Sequence, residues 1–330
     1  MNIEHRTSNI QRRTKCLSNP QSVIRNPQWI IHRFESVTST NDAAIRMAEE
    51  GAPEGTVVIA SEQTGGRGRH GRHWTSPPGA GLYLSIVLRP DIPFEHLWQL
   101  AFVAAVASAE TVSQTSGLPA QIKWPNDVLL CGKKVCGILV EAKPPVAGCQ
   151  LPVASRPPRS EGPVPLRKGD SPESSPPCEG GVAEGRGGHS QIRNPQSAIG
   201  VIGIGINVNS REFPTEIVDK ATSIALELGR PIAIEDVENA LLSRLDTWYC
   251  RYLKDGFASV LGAWKNLDCT IGRRVAIESI EGAAVDISES GDLIVQRDDG
   301  STVSISAGDV ILRNAKAGGR SAAADTRTGK

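Results

Sequence analysis

The chain carries no net charge, because 36 Lys and Arg offset 36 Asp and Glu. No global field therefore draws it to nucleic acid or to an anionic membrane, and any anion it recognises must be met locally. Long apolar runs are missing as well. The most apolar stretch, LWQLAFVAAVASA from Leu97, is interrupted by Gln99 and Ser108 and falls short of the about 20 residues that a bilayer span needs, so it reads as a buried helix. The seven cysteines are odd in number and include no C-x-x-C pair, which argues against zinc and for reduced thiols in a cytoplasmic protein. The first 27 residues hold Arg6, Arg12, Arg13, Lys15 and Arg25 against one Glu but no apolar h-region, which excludes a secretory signal. A disordered basic tail is expected there in preference to an organellar transit peptide. Aromatic residues make up only 4% of the chain, too few for the stacking platform of a single-strand nucleic-acid binder.

What the chain does have is QTGGRGRHGRHWTSP, residues 63 to 77, in which Arg67, Arg69 and Arg72 alternate with Gly66, Gly68 and Gly71 ahead of Trp74. The segment is too flexible for a helix interior and too polar for a strand core. It is either a solvated basic turn or a loop that closes on an anion, and the segment alone does not choose between them.

From Trp29 onward the pattern becomes structured. WIIHRF suits a strand, and STNDAAIRMAEEG reads as a helix capped by Ser39 or Thr40, favoured in its first turn by Asp42 and ended by Gly51. TVVIASEQ is a β-branched run ending where the arginine loop begins. Beyond the loop, Leu82, Leu84, Ile86 and Leu88 alternate onto one strand face, and residues 97 to 115 follow with helical spacing. IKWPNDVLLCGKKVCGILVEA reads as two strands joined at Cys131-Gly132, and IGVIGIGINVN as a further buried strand. Residues 143 to 197 turn to Pro, Gly, Ser and scattered charge, and are expected to form a disordered insertion. The pentapeptide IRNPQ occurs at 24 to 28 and again at 192 to 196; this is not the periodicity of a solenoid and carries no assigned function. Val237, Leu241, Leu245, Trp248, Tyr249 and Tyr252 make one helical stripe of core residues, with a second helix near 257 to 266. Short β-prone runs between Gly and Asp turns predict a small SH3-like β module over 269 to 314, and a disordered tail over 315 to 330. The expected fold class is α+β: a mixed, largely antiparallel sheet with flanking helices over 28 to 268, interrupted by the insertion.

Four separated motifs then matter together: STN at 39 to 41, GRGRHGRHW at 66 to 74, KWPND at 123 to 127 with KKVCGILVE at 133 to 141, and GIGIN at 203 to 207. In order, spacing and content they resemble the biotin protein ligase family over residues 29 to 142 and 198 to 313. The resemblance implies a class II synthetase-like catalytic domain and a two-step ligase. Biotin and MgATP give biotinyl-5'-AMP and pyrophosphate, and the biotinyl group passes to a lysine of a biotin carboxyl carrier protein, of acetyl-CoA carboxylase or a related carboxylase. Fewer than 40 residues precede the motifs, so the monofunctional type, without a DNA-binding domain or repressor activity, is expected. By resemblance, Ser39, Thr40, Asn41 and Gln63 line the biotin pocket. Arg67, Gly68 and Arg69 cover carboxylate and phosphate, Lys134 reaches acyl or phosphate oxygens, and Gly137, Gly203 and Gly205 let the chain pass close to the ligand. Arg69, Arg72, Trp74, Lys123, Asn126, Asp127 and Asn207 face the nucleotide. Arg67, Arg69, Lys134 and Asp127 are the catalytic candidates, with Asp127 orienting or deprotonating the incoming amine. No metal-ligand motif is present; Mg2+ would arrive with ATP, near Asp127.

The residue chemistry agrees with that implication. A carboxylate attacking a phosphate needs no general base, only cations that bring two anions together. Interleaved glycines would let backbone N–H groups approach phosphate, and ordering the loop from Gly66 to Arg72 costs about 1 to 2 kcal/mol per residue in backbone entropy, comparable with what the arginine contacts return. The loop is therefore expected to be mobile when empty and to close over the adenylate. In 214 to 224 no aromatic is available to stack on adenine, leaving Ile217 or Val218 to pack on it. GIGIN lacks the third glycine and the helix of a dinucleotide fingerprint, so NAD binding is rejected. A lipoate or octanoyl ligase of the same superfamily and an RNA-binding protein using the Arg-Gly loop are the competing readings.

Overall fold

The computed structural model describes residues 29–144 and 198–313. The expected basic tail, almost all of the insertion, both IRNPQ copies and the C-terminal tail lie outside those residues.

Strand β1 (Ile30–Val37) leads into helix α1 (Thr40–Glu49). The helix starts where expected because Ser39 is extended and its hydroxyl accepts from the Asp42 amide, with the Asp42 carboxylate favouring the positive end of the helix. β2 (Thr56–Gln63) and β3 (Gly81–Leu88) flank the arginine loop. The α2 helix (Leu100–Ser116) follows a single 3-10 segment and ends at Gly117, whose φ of 72° is the left-handed stop that glycine tolerates. Next come β4 (Ala120–Lys123), β5 (Asp127–Leu130), β6 (Lys133–Lys143) and β7 (Ile199–Asn207). Helices α3 (Ile224–Leu228), α4 (Ile234–Asp255) and α5 (Phe257–Leu267) precede β8 (Arg274–Ile277), β9 (Ile280–Ile287), β10 (Leu293–Gln296), β11 (Thr302–Ile305) and β12 (Ile311–Arg313).

Seven strands form one sheet in the order β1-β2-β3-β7-β6-β5-β4, with only β1 and β2 parallel. Five form a second, antiparallel sheet, β11-β10-β9-β8-β12, in which the last strand returns beside the first. The class is α+β, as the alternating patterns require. Two readings of local structure change. The segment read as two strands is three, because Pro125, which has no N–H to donate to a ladder, breaks the run between β4 and β5. In β3 the face opposite Leu82, Leu84, Ile86 and Leu88 is buried too, through Tyr83, Ser85 and Val87, because α1 covers it.

The back of the large sheet, with Ile202, Ile204 and Ile206 of β7, packs on α2, which α4 and α5 cover in turn. The expected stripe from Val237 to Tyr252 is buried there. On the front, α1 seals a small core of Ala44, Ala48, Val58, Val87 and Val201. Past the start of α1 the same face continues without bulk. Ser85 pairs with Gly203, Tyr83 with Gly205, Gly205 with Gly137, and Gly137 with Asp127 across four strands. Side chains have been given up there, and a trench results.

Candidate active site

The floor of the trench is defined by what cannot be added to it. A Cβ at Gly203 would collide with the Asn41 carboxamide, one at Gly205 would lie 2.5 Å from Trp74 Nε1, and one at Gly137 would lie 2.9 Å from the Trp74 ring. Trp74 lies across the Gly137–Gly205 pair, with the Lys134 ammonium 5.3 Å from its ring centroid. Among the described residues its buried indole N–H has no hydrogen-bond partner, and a buried donor of this kind is costly unless something arrives to accept from it.

The wall on the α1 side is a polar network inside an otherwise apolar layer. Gln63 Oε1 accepts from the Thr40 amide at 2.9 Å and from the Thr40 hydroxyl at 3.1 Å, while Gln63 Nε2 donates to Ser76 at 2.8 Å. The fully buried Ser85 hydroxyl lies 2.8 Å from Thr40 Oγ1 and 2.5 Å from Asn41 Oδ1. Asn41 Nδ2 donates to Glu141 at 2.7 Å. Ser39, by contrast, spends its hydroxyl as the helix cap.

The opposite wall is ionic. Asp127 Oδ1 lies 2.6 Å from Lys134 Nζ, and Oδ2 lies 3.1 Å from Lys123 Nζ. Burial alone would raise the Asp127 carboxyl, but the two ammonium groups overcome it and hold it below the ordinary carboxylate range. Asn126 is fixed by donation from Nδ2 to the Ile138 carbonyl at 2.5 Å. Neither buried thiol can act as a nucleophile at neutral pH, since burial pushes Cys136 up to about 12 and Cys269 up to about 11.

Over these walls the arginine loop folds as a narrow hairpin. Arg67 bridges to His73, Gly68 N donates to Arg72 O at 2.7 Å and Trp74 N to Gly66 O at 2.8 Å, with a tight turn at Arg69–Gly71. The amide of Gly68 is used inside the hairpin, because a two-stranded loop satisfies its own backbone. The guanidinium groups have separate partners. Arg67 Nη2 donates to Asp42 at 2.5 Å and to Glu141 at 3.0 Å, Arg69 Nη1 donates to Asn126 Oδ1 at 3.0 Å, and Arg72 pairs with Asp309, in the connection between β11 and β12, at 2.5 Å. His70 and His73 are exposed.

Thus Thr40, Asn41, Gln63, Arg67, Arg69, Trp74, Lys123, Asn126, Asp127, Lys134 and the three glycines surround one trench. Four expected residues take other positions. Ser39 caps α1, Gly68 is closed within the hairpin, Arg72 reaches the connection between β11 and β12, and Asn207 is buried, its Nδ2 donating to Thr222 O at 3.1 Å. That bond helps hold the 214 to 224 segment, which also pairs with Lys134 through Ala221 and leaves Ile217 and Val218 40% and 45% exposed. Sequence reasoning missed Asp42, Ser85, Glu141 and Asp309 as site residues. Ser85 had a signal, a lone polar residue within LYLSIVL, and Glu141 closes the KKVCGILVE motif; Asp309 had none.

Comparison with known proteins agrees with this architecture. Residues 33–150 match the Biotin/lipoate A/B protein ligase family, and residues 270–313 match the Biotin protein ligase C terminal domain. The chain is 32% identical over 270 residues to the Bifunctional ligase/repressor BirA of Bacillus subtilis, covering 80% of this chain and 68% of that protein. It is 29% identical to the Biotin--[acetyl-CoA-carboxylase] ligase of Mycobacterium tuberculosis, covering 83% of this chain and 85% of that protein. A solved structure of the biotin protein ligase from Aquifex aeolicus in complex with biotin and ATP superposes with a TM-score of 0.62 at 27% identity, over 86% of this chain and 99% of that one. The chain belongs to the biotin protein ligase family.

Proposed function

We infer that the protein is an ATP-dependent biotin protein ligase. In the first step a carboxylate oxygen of biotin bonds to the α-phosphorus of ATP as the bond to the pyrophosphate oxygen breaks. In the second, a lysine amine of a carrier protein bonds to the acyl carbon of biotinyl-5'-AMP, AMP leaves and the amine loses a proton. The carrier is expected to be the biotin carboxyl carrier of acetyl-CoA carboxylase or a related carboxylase, met in the cytoplasm. No helix among the described residues is long and apolar enough to cross a membrane.

One observation carries the reading: a glycine-floored trench has uncharged hydrogen-bonding groups at one end and cations on both sides of the other. Thr40, Asn41, Gln63 and Ser85 suit a polar, neutral ring system such as a ureido group. Arg67 and Arg69 above, and Lys123 and Lys134 beside, suit the meeting of a carboxylate with a phosphate, where positioning and fixed charge supply the catalysis. Asp127, kept ionised by its two lysines, is a weak proton acceptor; this favours its orienting the lysine amine over removing its proton. The division of labour follows the sheets, with 28 to 268 as the catalytic body and 269 to 314 as an accessory module. MgATP is the substrate form. Magnesium on nucleotide phosphates takes one or two protein oxygens, and Asp127 and Asn126 would supply them with their remaining lone pairs.

The three flap guanidinium groups all have partners within the protein, whereas an RNA-binding Arg-Gly loop would present them outward. The test is ATP-dependent transfer of labelled biotin, against labelled lipoate, to a carrier domain. Biotin transfer is expected, with Arg69→Ala losing transfer or releasing free adenylate. Transfer of lipoate alone, or unchanged turnover in Arg69→Ala, would overturn the assignment. Trypsin cleavage within 67 to 72 should also slow when biotin and ATP are added together, as closure of the flap requires; an unchanged rate removes the closure.

A further inference from the structure

The geometry points to Glu141 as a positioning residue that sets two parts of the biotin site at once, the amide of Asn41 on the wall and the guanidinium of Arg67 on the flap. This rests on the ligase reading of the trench. Glu141 lies four residues beyond Gly137 on β6 and in register with Val201 of β7, so it shares the front face with the glycine floor. It stands where that floor meets the small apolar core beneath α1, and its side chain is 29% exposed. A carboxylate at such a boundary needs partners. It has two, from different elements: Asn41 Nδ2 at 2.7 Å, and Arg67 Nη2 at 3.2 and 3.0 Å from its two oxygens.

The first contact fixes an orientation. A carboxamide can lie either way round, but an ionised carboxylate only accepts, so the NH2 group of Asn41 must face Glu141. The Asn41 carbonyl oxygen is then turned to the Ser85 hydroxyl and over Gly203. A lone pair there remains for an N–H donor on the ligand. Glu141 in this way decides that the wall offers an acceptor rather than a donor to the trench.

The second contact fixes a plane. Among the described residues, every bond of Arg67 runs through Nη2, shared between Asp42 and Glu141. Its Nη1 and Nε donors, which point to different sides of the guanidinium plane's axis, are left to make single charge-assisted bonds to a carboxylate or phosphate oxygen. Asp42 of α1 also holds Arg67, with its side chain 39% exposed. Glu141 is the carboxylate that bonds both the Asn41 amide and the Arg67 guanidinium.

The experiment measures biotin-dependent adenylation by wild type, E141A, E141Q and N41A/R67A with and without E141A, together with trypsin cleavage of the flap in the absence of biotin and ATP. E141A should raise KM for biotin by about ten- to a hundredfold, the worth of one to two charge-assisted hydrogen bonds, with a much smaller change in kcat. E141Q keeps an acceptor for Asn41 and loses the charge on Arg67, so it should fall between wild type and E141A. In the N41A/R67A background, adding E141A should change KM by less than about twofold, because both groups it positions are gone. Both Glu141 variants should be cut faster than wild type within 67 to 72. A wild-type KM in E141A and E141Q, a full additional loss in the N41A/R67A background, or an unchanged cleavage rate would each overturn the proposal. Should E141A fail to fold, E141Q preserves volume and carries both measurements. A wild-type protein that does not adenylate biotin would defeat the ligase reading instead, and the cleavage arm would then still decide whether Glu141 holds the flap.

Discussion

At the scale of single residues, the site is made by omission. Gly137, Gly203 and Gly205 create space on three adjoining positions of two strands; Trp74 lies where side chains at Gly137 and Gly205 would have been, and Asn41 where one at Gly203 would. Gly205→Ala should therefore act on the flap rather than on the core. A Cβ within 2.5 Å of the indole must lift Trp74 and the hairpin with it. Adenylation is expected to drop at least tenfold while stability changes by less than about 1 kcal/mol, read from initial rates and thermal melts; a large melt shift with normal rates would refute this. Asp127 gives a prediction with a pH sign. Its folded-state acidity is strengthened relative to the ordinary value of 3.8, so the stability it contributes is fully present above that value and is lost as pH falls through the lower native one. Asp127→Asn should cost roughly 2 kcal/mol at neutral pH, less than the ~3–5 for breaking a fully buried pair, because Lys134 and Lys123 are 34% and 22% exposed. The gap to wild type should close only below about pH 4, near the ordinary value; a gap constant down to pH 2 would contradict the assignment. Much of this was legible in the chain, since STN, the alternating arginines and Lys134 declare themselves by spacing. The role of Glu141 did not, although the residue closes the KKVCGILVE motif, because its meaning lies in a partner 74 residues away.

At the scale of elements, the KWPND turn shows what pattern reading can and cannot reach. The residues were recognised as a unit, yet the break into β4 and β5 and its anchoring come from tertiary contact. Trp124 is fully buried, its amide donates to Thr270 Oγ1 at 2.9 Å and its indole to Gly291 O at 2.9 Å. The small sheet thus grips the turn that presents Lys123, Asn126 and Asp127. Trp124→Phe should strand the Gly291 carbonyl and destabilise by about 1 to 3 kcal/mol, and the chemical denaturation midpoint should fall accordingly; an unchanged midpoint would mean the grip is not energetic. Helix α3 escaped sequence reading because its five residues, Ile224–Leu228, are too few to display a period. The flap was read as an open loop for a related reason: glycines advertise freedom, and nothing in GRGRHGRHW announces that its own amides would pair across a hairpin.

At the scale of the whole molecule, the residue patterning was enough to set the α+β class, since alternating strands and one amphipathic stripe decide how layers stack. Contacts between the arginine loop and the C-terminal strands' connections were not legible, and Arg72 with Asp309 is the case in point: one exposed and one half-buried, both charged and unremarkable in sequence. The junction at the end of β6 and β7 has a simpler logic. Lys143 and Ile199 are register partners, so the chain leaves and returns at one point, about 20 Å along the strand from Gly137. Lengthening a connection there is cheap, since loop-closure cost grows by only about 0.6 kcal/mol per doubling. Replacing 145 to 197 by a short turn is expected to preserve the melting temperature within a few degrees and to leave biotin transfer intact; loss of transfer would give that segment a role.

Because those two strand ends meet far from the trench, the point where the chain leaves β6 and returns to β7 is a natural handle. A fluorophore, an affinity tag or an entire folded passenger could be grafted there and ride on the enzyme as cargo, reporting its whereabouts without entering its chemistry.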